Sequence, residues 1–497
     1  MTAPRFRRAA GRFDVVAAVI AVAMFAYLAY FSIWQWNKFY VPSWDLGIFT
    51  QLLDKYANLQ SPIVDIKGPG YNLWGDHFHP ILVVLAPLYR LFPSGLTLLI
   101  AQAALFAWSA YPVTRFARAR IGAAAGTVVG LAYALSWGLT NAVWSQFHEI
   151  AFGVPLLAFG LVAYLEGRRR TAWILIALLV FVKEDMGLTV FAFAGIAWLL
   201  EYREVRAQRR RESHEPFKPE GHESFDEVLE GATSDATRAN PTEAESRARG
   251  GVVGNLMSSW TNRWIALGAW GAVWFVLSVK VILPYWNTAA QWDYTSKLEG
   301  SGLFQAPGTK IVTVLLLIAI GGLVALRSPI AAVALPTLAW RFVGNTPFYW
   351  GWEWHYSAVL MPIMLIALVD GVERLEEAVE TRGGFSIANI AAGISLACSL
   401  ALMPTGPLKT TLTWEADAAS SRSAIASIPE GSVVISDLRH LAYLVPGRSA
   451  FWTGTAGDTV PDYWIDSKAS ASEAAKRWGG SWTETHFNYI VVVKRQP

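Results

Sequence analysis

Ionisable side chains are sparse in this chain, yet they gather in a few short stretches. Asp45 stands in "VPSWDLGIFTQLL", and Asp76, His77 and His79 stand in "NLWGDHFHPILVVL". His148 and Glu149 lie in "SQFHEIAFGVP", and Lys183, Glu184 and Asp185 lie in "FVKEDMGL". Arg341 ends one apolar run, and Glu353, His355 and Tyr356 open the next in "WGWEWHYSAVLMP". A carboxylate such as Asp45 or Asp76 can take a proton from a hydroxyl. Pro80 suits the first position of a helix with His79 as its cap, so Asp76 and His77 lie beside a helix N-terminus, a place suited to an anion such as phosphate. Asp76, His77 and His79 could also hold a divalent metal (Mg, Mn or Ca), although their spacing is not specific to one. Each cluster has a quieter explanation. An Asp in a first helical turn is stabilised by the helix dipole, Lys183 and Glu184 could neutralise each other in a turn, and His148–Glu149 could be an interfacial pair without chemistry.

The elements that position these groups follow from hydropathy. Hydrophobic residues make up 54% of the chain and charged ones 16%, against about 25% charged in soluble domains. This is the composition of a polytopic, all-α membrane protein. About eleven apolar segments approach the length of a bilayer crossing, near residues 13–34, 95–114, 121–139, 150–166, 171–183, 186–201, 263–283, 310–326, 329–346, 356–371 and 385–403. The basic start "MTAPRFRRAAGRFDVV" has no small-residue cleavage site and reads as a retained first helix. One set of loops holds "RFRRAAGR", "RFARAR", "EGRRR", "EYREVRAQRRR" and "VERLEEAVETRGG", while the alternate short loops are poor in Lys and Arg. The positive-inside rule then puts the N-terminus in the cytoplasm and the C-terminus outside. The net charge of +3 is uninformative, and no nucleic-acid partner is expected. The single cysteine, Cys398, excludes a disulfide framework within the chain. Richness in Ala, Arg and Gly suggests a GC-rich bacterial genome, and hence the bacterial cytoplasmic membrane.

Four regions result. Residues 1–202 form a transmembrane module whose first outer loop, 35–94, carries interfacial helices: Ile48, Phe49, Leu52, Leu53 and Tyr56 recur at helical spacing. Residues 203–262 are polar and charged, with too few large apolar side chains to offset ordering entropy, and read as a disordered cytoplasmic loop. Residues 263–403 form a second transmembrane module. Residues 404–497 read as a small extracytoplasmic α/β domain, with strands at "GSVVISD" and "NYIVVVKR" and helices at "EADAASSRSAIASI", "LRHLAYLV" and "ASEAAKRW".

In this topology every unusual polar cluster falls on the outer side, which implies one outward-facing polar cavity. The segment before Lys183 has only about 13 residues, or near 20 Å of helix, short of the roughly 30 Å hydrocarbon core. Lys183, Glu184 and Asp185 should therefore sit below the outer surface, where ionisable groups face water or one another. The chain has 24 tryptophans. Many, such as Trp44, Trp74, Trp144, Trp292, Trp340 and Trp354, fall on the outer side, beyond what an aromatic belt at both interfaces explains, and indole faces also suit sugar rings.

"WDLGIFTQ", "GDHFHPILVVLAPLYRLFP", "FHEIAFGVP", "KEDMGL" and "HYSAVLMP" occur in that order. Over residues 30–370 the chain resembles the bacterial membrane family called domain of unknown function 2079. The resemblance implies a place near the glycosyltransferase-C superfamily: polytopic helical enzymes with an outer-face active site, a polyprenyl-phosphate-linked sugar donor, an acidic residue in the first outer loop and often a soluble outer domain. On that reading the protein moves a sugar to a glycan or protein acceptor by inverting transfer. Asp45, or else Asp76, acts as base. Lys183 and Arg341 stabilise the departing phosphate, and His77, His79, His148, Glu149, Glu184, Asp185 and His355 hold the sugar. A transporter, a lipid-binding protein or a non-catalytic scaffold would place ionisable groups in a membrane cavity as well. Transporters often carry internal repeats, and none is evident here.

Overall fold

The computed structural model describes residues 13–212, 260–287, 302–379, 386–403 and 418–497. Its helices are α1 (Val15–Asn37), α2 (Asp45–Ala57), α3 (Pro80–Leu91), α4 (Gly95–Ile121), α5 (Ala123–Trp144), α6 (Glu149–Leu165), α7 (Arg169–Ala177), α8 (Met186–Glu212), α9 (Trp260–Trp286), α10 (Pro307–Ile320), α11 (Pro329–Val343), α12 (Leu360–Val379) and α13 (Ile387–Leu402). α1, α4, α5 and α9 are long and apolar enough to cross a membrane on length and composition alone. α3, α6, α10, α11 and α13 are shorter apolar helices.

α1 shows how the bundle is built. Ala17, Ile20, Met24, Leu28 and Phe31 recur at helical spacing and are buried, whereas Val15, Val19, Val22, Tyr30 and Ile33 are exposed. A helix apolar on every side suits hydrocarbon on its outer face and protein on its inner one. Asp14 caps it, accepting from the Ala17 amide at 3.0 Å, and also accepts from Arg118 Nε at 2.8 Å. The start of α1 is thereby tied to the end of α4. Arg115 with Glu166, Arg120 with Glu373, Arg169 with Glu201 and Arg374 with Asp370 pair in the same manner. The first three pairs join α4 to the end of α6 and to α12, and the start of α7 to α8, while Arg374 and Asp370 pair within α12. α8 and α9 cross closely: a Cβ built on Gly187 would stand 2.5 Å from the Gly271 carbonyl, and the reverse holds for Gly271. Only glycine permits that approach, which drives van der Waals packing between helices in lipid.

α8 runs on to Glu212, into the stretch read from the sequence as disordered. "EYREVRAQRRRE" is made largely of strong helix formers, and it extends a helix already nucleated. Residues 260–262 of that stretch already belong to α9, and residues 213–259 and Trp292 lie outside the described residues.

The C-terminal part begins with α14 (Ala418–Ala426) and continues through β1 (Val433–Ser436), α15 (Leu441–Leu444), β2 (Ser449–Trp452), β3 (Tyr463–Asp466), α16 (Ala471–Trp478), β4 (Trp482–Phe487) and β5 (Ile490–Arg495). The strand order is β2-β1-β3-β5-β4. β1 is parallel to β2 and β3, while β5 is antiparallel to β3 and β4. Strand alternation sends Ile435, Trp464, Val491 and Val493 to one face under α16. Val434, Ile465 and Val492 go to the other face, which merges with the core of the helical part. Ser470 caps α16 by accepting from the Glu473 amide at 3.2 Å. His440 Nδ1 donates to Asp437 Oδ1 at 2.6 Å, and its Nε2 stands 3.0 Å from Ser421 Oγ. Ser421 and His440 are each 1% exposed, so this chain is sealed from any substrate and clamps α14 to the turn after β1.

The sequence reading lays α2 in the membrane interface. The structure covers it: Leu46, Ile48, Phe49, Leu52 and Leu53 are all buried, and α2 packs against α3 on one side and α15 on the other. The C-terminal part lies against α2 through α15 and through Ala450 of β2. Tyr443 of α15 stacks on Trp36 at 3.8 Å and on Phe39 at 4.1 Å, and donates to the Trp36 carbonyl at 2.7 Å.

Candidate functional site

Asp45 opens α2, where the first turn favours an acid. Its backbone amide approaches Ser43 Oγ at 3.4 Å. The chain between α2 and α3 then folds back on itself. Ile63 bridges Asn72, Asp65 accepts from the Gly70 amide at 2.8 Å, and Gly70 takes a φ of 70° that closes the turn. Lys67 stands at the tip. Its Nζ pairs with Asp76 Oδ2 at 2.9 Å and lies 5.0 Å from the centre of the Trp44 ring.

Gln51 of α2 connects this turn to the C-terminal sheet. It donates to the Ala450 carbonyl at 3.0 Å and accepts from the Ile66 amide at 3.0 Å. Thr455 donates to the Ile66 carbonyl at 2.5 Å. The sheet thus holds the residue next to Lys67 at both its amide and its carbonyl.

Three further segments bring in the other groups. His148 and Glu149 precede α6, and the His148 amide donates to Gln102 of α4 at 3.1 Å. Lys183, Glu184 and Asp185 form the turn between α7 and α8. His355 lies before α12, with its ring stacked on His148 at 3.5 Å. All of these meet in one cavity of about 310 Å³. Asp45, Asp76, His77, His79, His148, Glu149, Lys183, Glu184, Asp185 and His355 line it. The Lys–Glu–Asp turn is not self-neutralising. Lys183 reaches Glu149 at 2.8 Å, while Glu184 accepts from His77 Nδ1 at 2.8 Å and from the Phe78 amide at 3.1 Å.

Arg341 does not line the cavity. It is fully buried behind the wall, donating to the Tyr349 and Gly351 carbonyls at 2.7 and 2.6 Å and to Ser357 Oγ at 3.1 Å. A guanidinium with a fixed fork of donors suits such a clamp; here it shapes the loop that carries Tyr349 and His355. Reading the sequence for ionisable clusters missed Lys67, which sits in a Gly-rich turn with no hydrophobic period, and Tyr349, which lies among many aromatics. Both line the cavity, as do the apolar residues Leu188 of α8 and Phe275 and Val279 of α9.

His148 couples two groups. Its Nδ1 faces the Gln146 carbonyl at 3.3 Å and its Nε2 faces Asp45 Oδ2 at 3.5 Å, so both nitrogens meet oxygen acceptors. Burial raises the Asp45 carboxyl, but the hydrogen bond and charge of His148 outweigh it; with help from Ser43 and Lys67 they bring the value down to about 2. Asp45 is therefore a carboxylate at any physiological pH. Burial pushes His79 down to about 4, against the opposing pull of Glu149 and Glu184. Burial, then the charges of His148, Lys183 and Arg341, holds His355 well below the ordinary imidazole value. Both rings are neutral at pH 7, and the buried Nδ1 of each has no partner among the described residues. His79 occupies the cap position of α3 without making a cap bond, and α3 opens as a 3₁₀ turn, a poorer anion seat than a full helix start.

The proposed metal set is not assembled. Asp76 turns to Lys67, His77 turns to Glu184, and His79 packs edge-on to Phe49 at 5.7 Å. Among the described residues no three His, Cys, Asp or Glu side chains converge as metal ligands. The positive charge facing the cavity comes from Lys67 and Lys183, each already held by a carboxylate. An anionic ligand must therefore exchange with Asp76 or Glu149 for its cation.

No curated protein matches this chain. A family model described as a predicted membrane protein (DUF2079) matches residues 36–450, a stretch that includes every segment lining the cavity. The chain belongs to the DUF2079 family of multi-pass membrane proteins.

Proposed function

We propose that the cavity is the active site of a glycosyl transfer from a polyprenyl-phosphate sugar to a glycan or protein acceptor at the outer face of a bacterial cytoplasmic membrane. The orientation follows from the Arg-rich loops, which put the cavity end of the helices outside. One observation carries the reading: carboxylates, imidazoles and lysines line the same cavity as the apolar side chains of Leu188, Phe275 and Val279. A lipid-linked sugar needs both surfaces at once.

In the proposed step, the acceptor hydroxyl attacks the anomeric carbon as its proton passes to Asp45. The bond from that carbon to the phosphate oxygen breaks, and its electron pair leaves with the lipid phosphate. Charge spreads over the sugar ring in the transition state. Lys183 leaves Glu149 to meet the departing phosphate, and Lys67 does the same from Asp76. The neutral His79 and His355 offer ring nitrogens to sugar hydroxyls. Asp76 is the second candidate for the base.

The test uses the full chain in nanodiscs with a panel of polyprenyl-phosphate sugars, and reads release of polyprenyl phosphate. Turnover of one donor that Asp45→Asn abolishes is the expected result. Turnover unaffected by both Asp45→Asn and Asp76→Asn would sink the assignment of the base. One rival has a specific observation behind it, since five carboxylates face two lysines, a balance that suits a cation-coupled carrier. Cation-dependent uptake into proteoliposomes with no donor cleavage would favour that rival.

A further inference from the structure

A second, apolar groove of about 430 Å³ runs between α8 and α11. Ala192, Gly195 and Leu199 of α8 line it, with Ala332, Pro336 and Ala339 of α11. These positions continue faces already on the cavity. On α8, Leu188 lines the cavity, and Ala192, Gly195 and Leu199 follow on successive turns of the same face. On α11, Trp340 lines the cavity and is adjacent to Ala339, with Pro336 and Ala332 on the preceding turns. The two helices run antiparallel, so both faces lead away from the cavity in one direction. Small residues set the floor back: a Cβ built on Gly195 would meet nothing within 4 Å. Leu335, on the rim, is 61% exposed, which in a membrane is exposure to hydrocarbon.

We infer that this groove holds the isoprenoid chain of the donor while its phosphate and sugar occupy the cavity. The inference rests on the lipid-phosphate donor proposed above, and adds where the chain lies and how much of it the protein reads. From Leu188 to Leu199 the helix rises about 16 Å, the length of roughly three or four isoprene units. The first units are gripped, and the remainder of a longer chain extends into the bilayer. A branched, flat prenyl chain fits between shallow methyl-lined walls, and the groove runs along the two helices away from the cavity with Leu335 exposed on its rim.

Calorimetric titration of the full chain in detergent with geranyl phosphate and farnesyl phosphate tests this, alongside the variant Gly195→Trp. Farnesyl phosphate, with three units, should bind at least tenfold more tightly than geranyl phosphate, with two. Gly195→Trp should erase that preference and leave the geranyl affinity within twofold, which also shows that the variant is folded. Dioleoyl phosphatidylglycerol should not displace the farnesyl compound. A preference that survives Gly195→Trp, equal binding of the two chain lengths, or displacement by the phospholipid overturns the groove assignment alone. Failure of both prenyl phosphates to bind the unmodified protein overturns the donor reading, and the groove assignment with it.

Discussion

The helices of this bundle carry charge at both ends, and the two ends are built by different rules. At one end arginines meet carboxylates: Arg118 with Asp14 at 2.8 Å, Arg120 with Glu373 at 3.1 Å, Arg169 with Glu201 at 2.8 Å. At the other end carboxylates outnumber lysines, and the buried Nδ1 atoms of His79 and His355 have no partner among the described residues. A buried polar group left unpaired costs about 1–3 kcal/mol. At the matched end the ion pairs neutralise the buried charges, although Arg120 Nε and Arg374 Nη2 also lack a hydrogen-bond partner among the described residues. At the cavity end a ligand rich in hydroxyl groups and carrying an anion would supply the missing partners. Clustered charge thus forms paired braces in one place and lines a cavity in the other.

The sharpest way to break this contrast is to remove one carboxylate from each end. Asp45→Asn should lower transfer by roughly 10²- to 10⁴-fold, the range of a lost general base, with thermal stability nearly unchanged. Glu166→Gln, which strips Arg115 and Arg168 of their partner, should lower stability by roughly 3 kcal/mol, as breaking a buried pair does. Its turnover per folded molecule should stay within a few-fold. Parallel melting curves and turnover assays on the two variants decide; if both behave alike, the distinction between the ends is wrong.

Acid should next reveal the buried imidazole. His79 is held near 4, below its ordinary 6.5. Protonation therefore favours the unfolded chain. The contribution is whole above about 6.5 and is lost as pH falls toward 4, by roughly 3 kcal/mol in all. The melting temperature of the unmodified protein should drop across that window more steeply than that of His79→Phe. Superimposable curves would show that His79 is not buried in its neutral form.

His148→Ala should act more gently and on a different observable. It removes the largest influence lowering Asp45, so the Asp45 value rises and the acid limb of kcat/KM moves up by about one unit. An unmoved limb would detach His148 from Asp45. The smallest effect is expected from Gln51→Ala, at about 1 kcal/mol for the lost hydrogen bonds. That variant loosens the Lys67 turn and should raise KM more than it lowers kcat. A change in kcat alone would argue that the sheet does not position Lys67.

Much of the site was legible because ionisable groups are scarce in a membrane chain, so each one is informative. Charge asymmetry placed Asp45, Asp76, His148, Lys183 and His355 on one face, and they do share one cavity. Position along a helix gives depth but not rotation, which is why Arg341 read as a ligand group yet turns inward to clamp carbonyls. The partners also stayed hidden. Lys183 could be paired with Glu184 by proximity in sequence, but it reaches Glu149 instead. In the sheet, β1 and β5 announced themselves as apolar runs. β2, β3 and β4 are short or mixed, and their pairing depends on neighbours distant in the chain. α2 read as interfacial because the surface that covers it comes from residues beyond 440.

The bond from Gln51 to Ala450 spans 399 residues. At about 5–20 residues per second of synthesis, roughly 20 to 80 seconds separate the emergence of the two ends. For that interval the first loop has been made while the sheet that will cap it does not exist. The apolar face of α2 must then rest on lipid or on a chaperone, and Lys67 has no fixed place. The cavity wall at Lys67 is therefore completed late, so a nascent chain halted before β2 would lack the contacts from Ala450 and Thr455 that hold this turn.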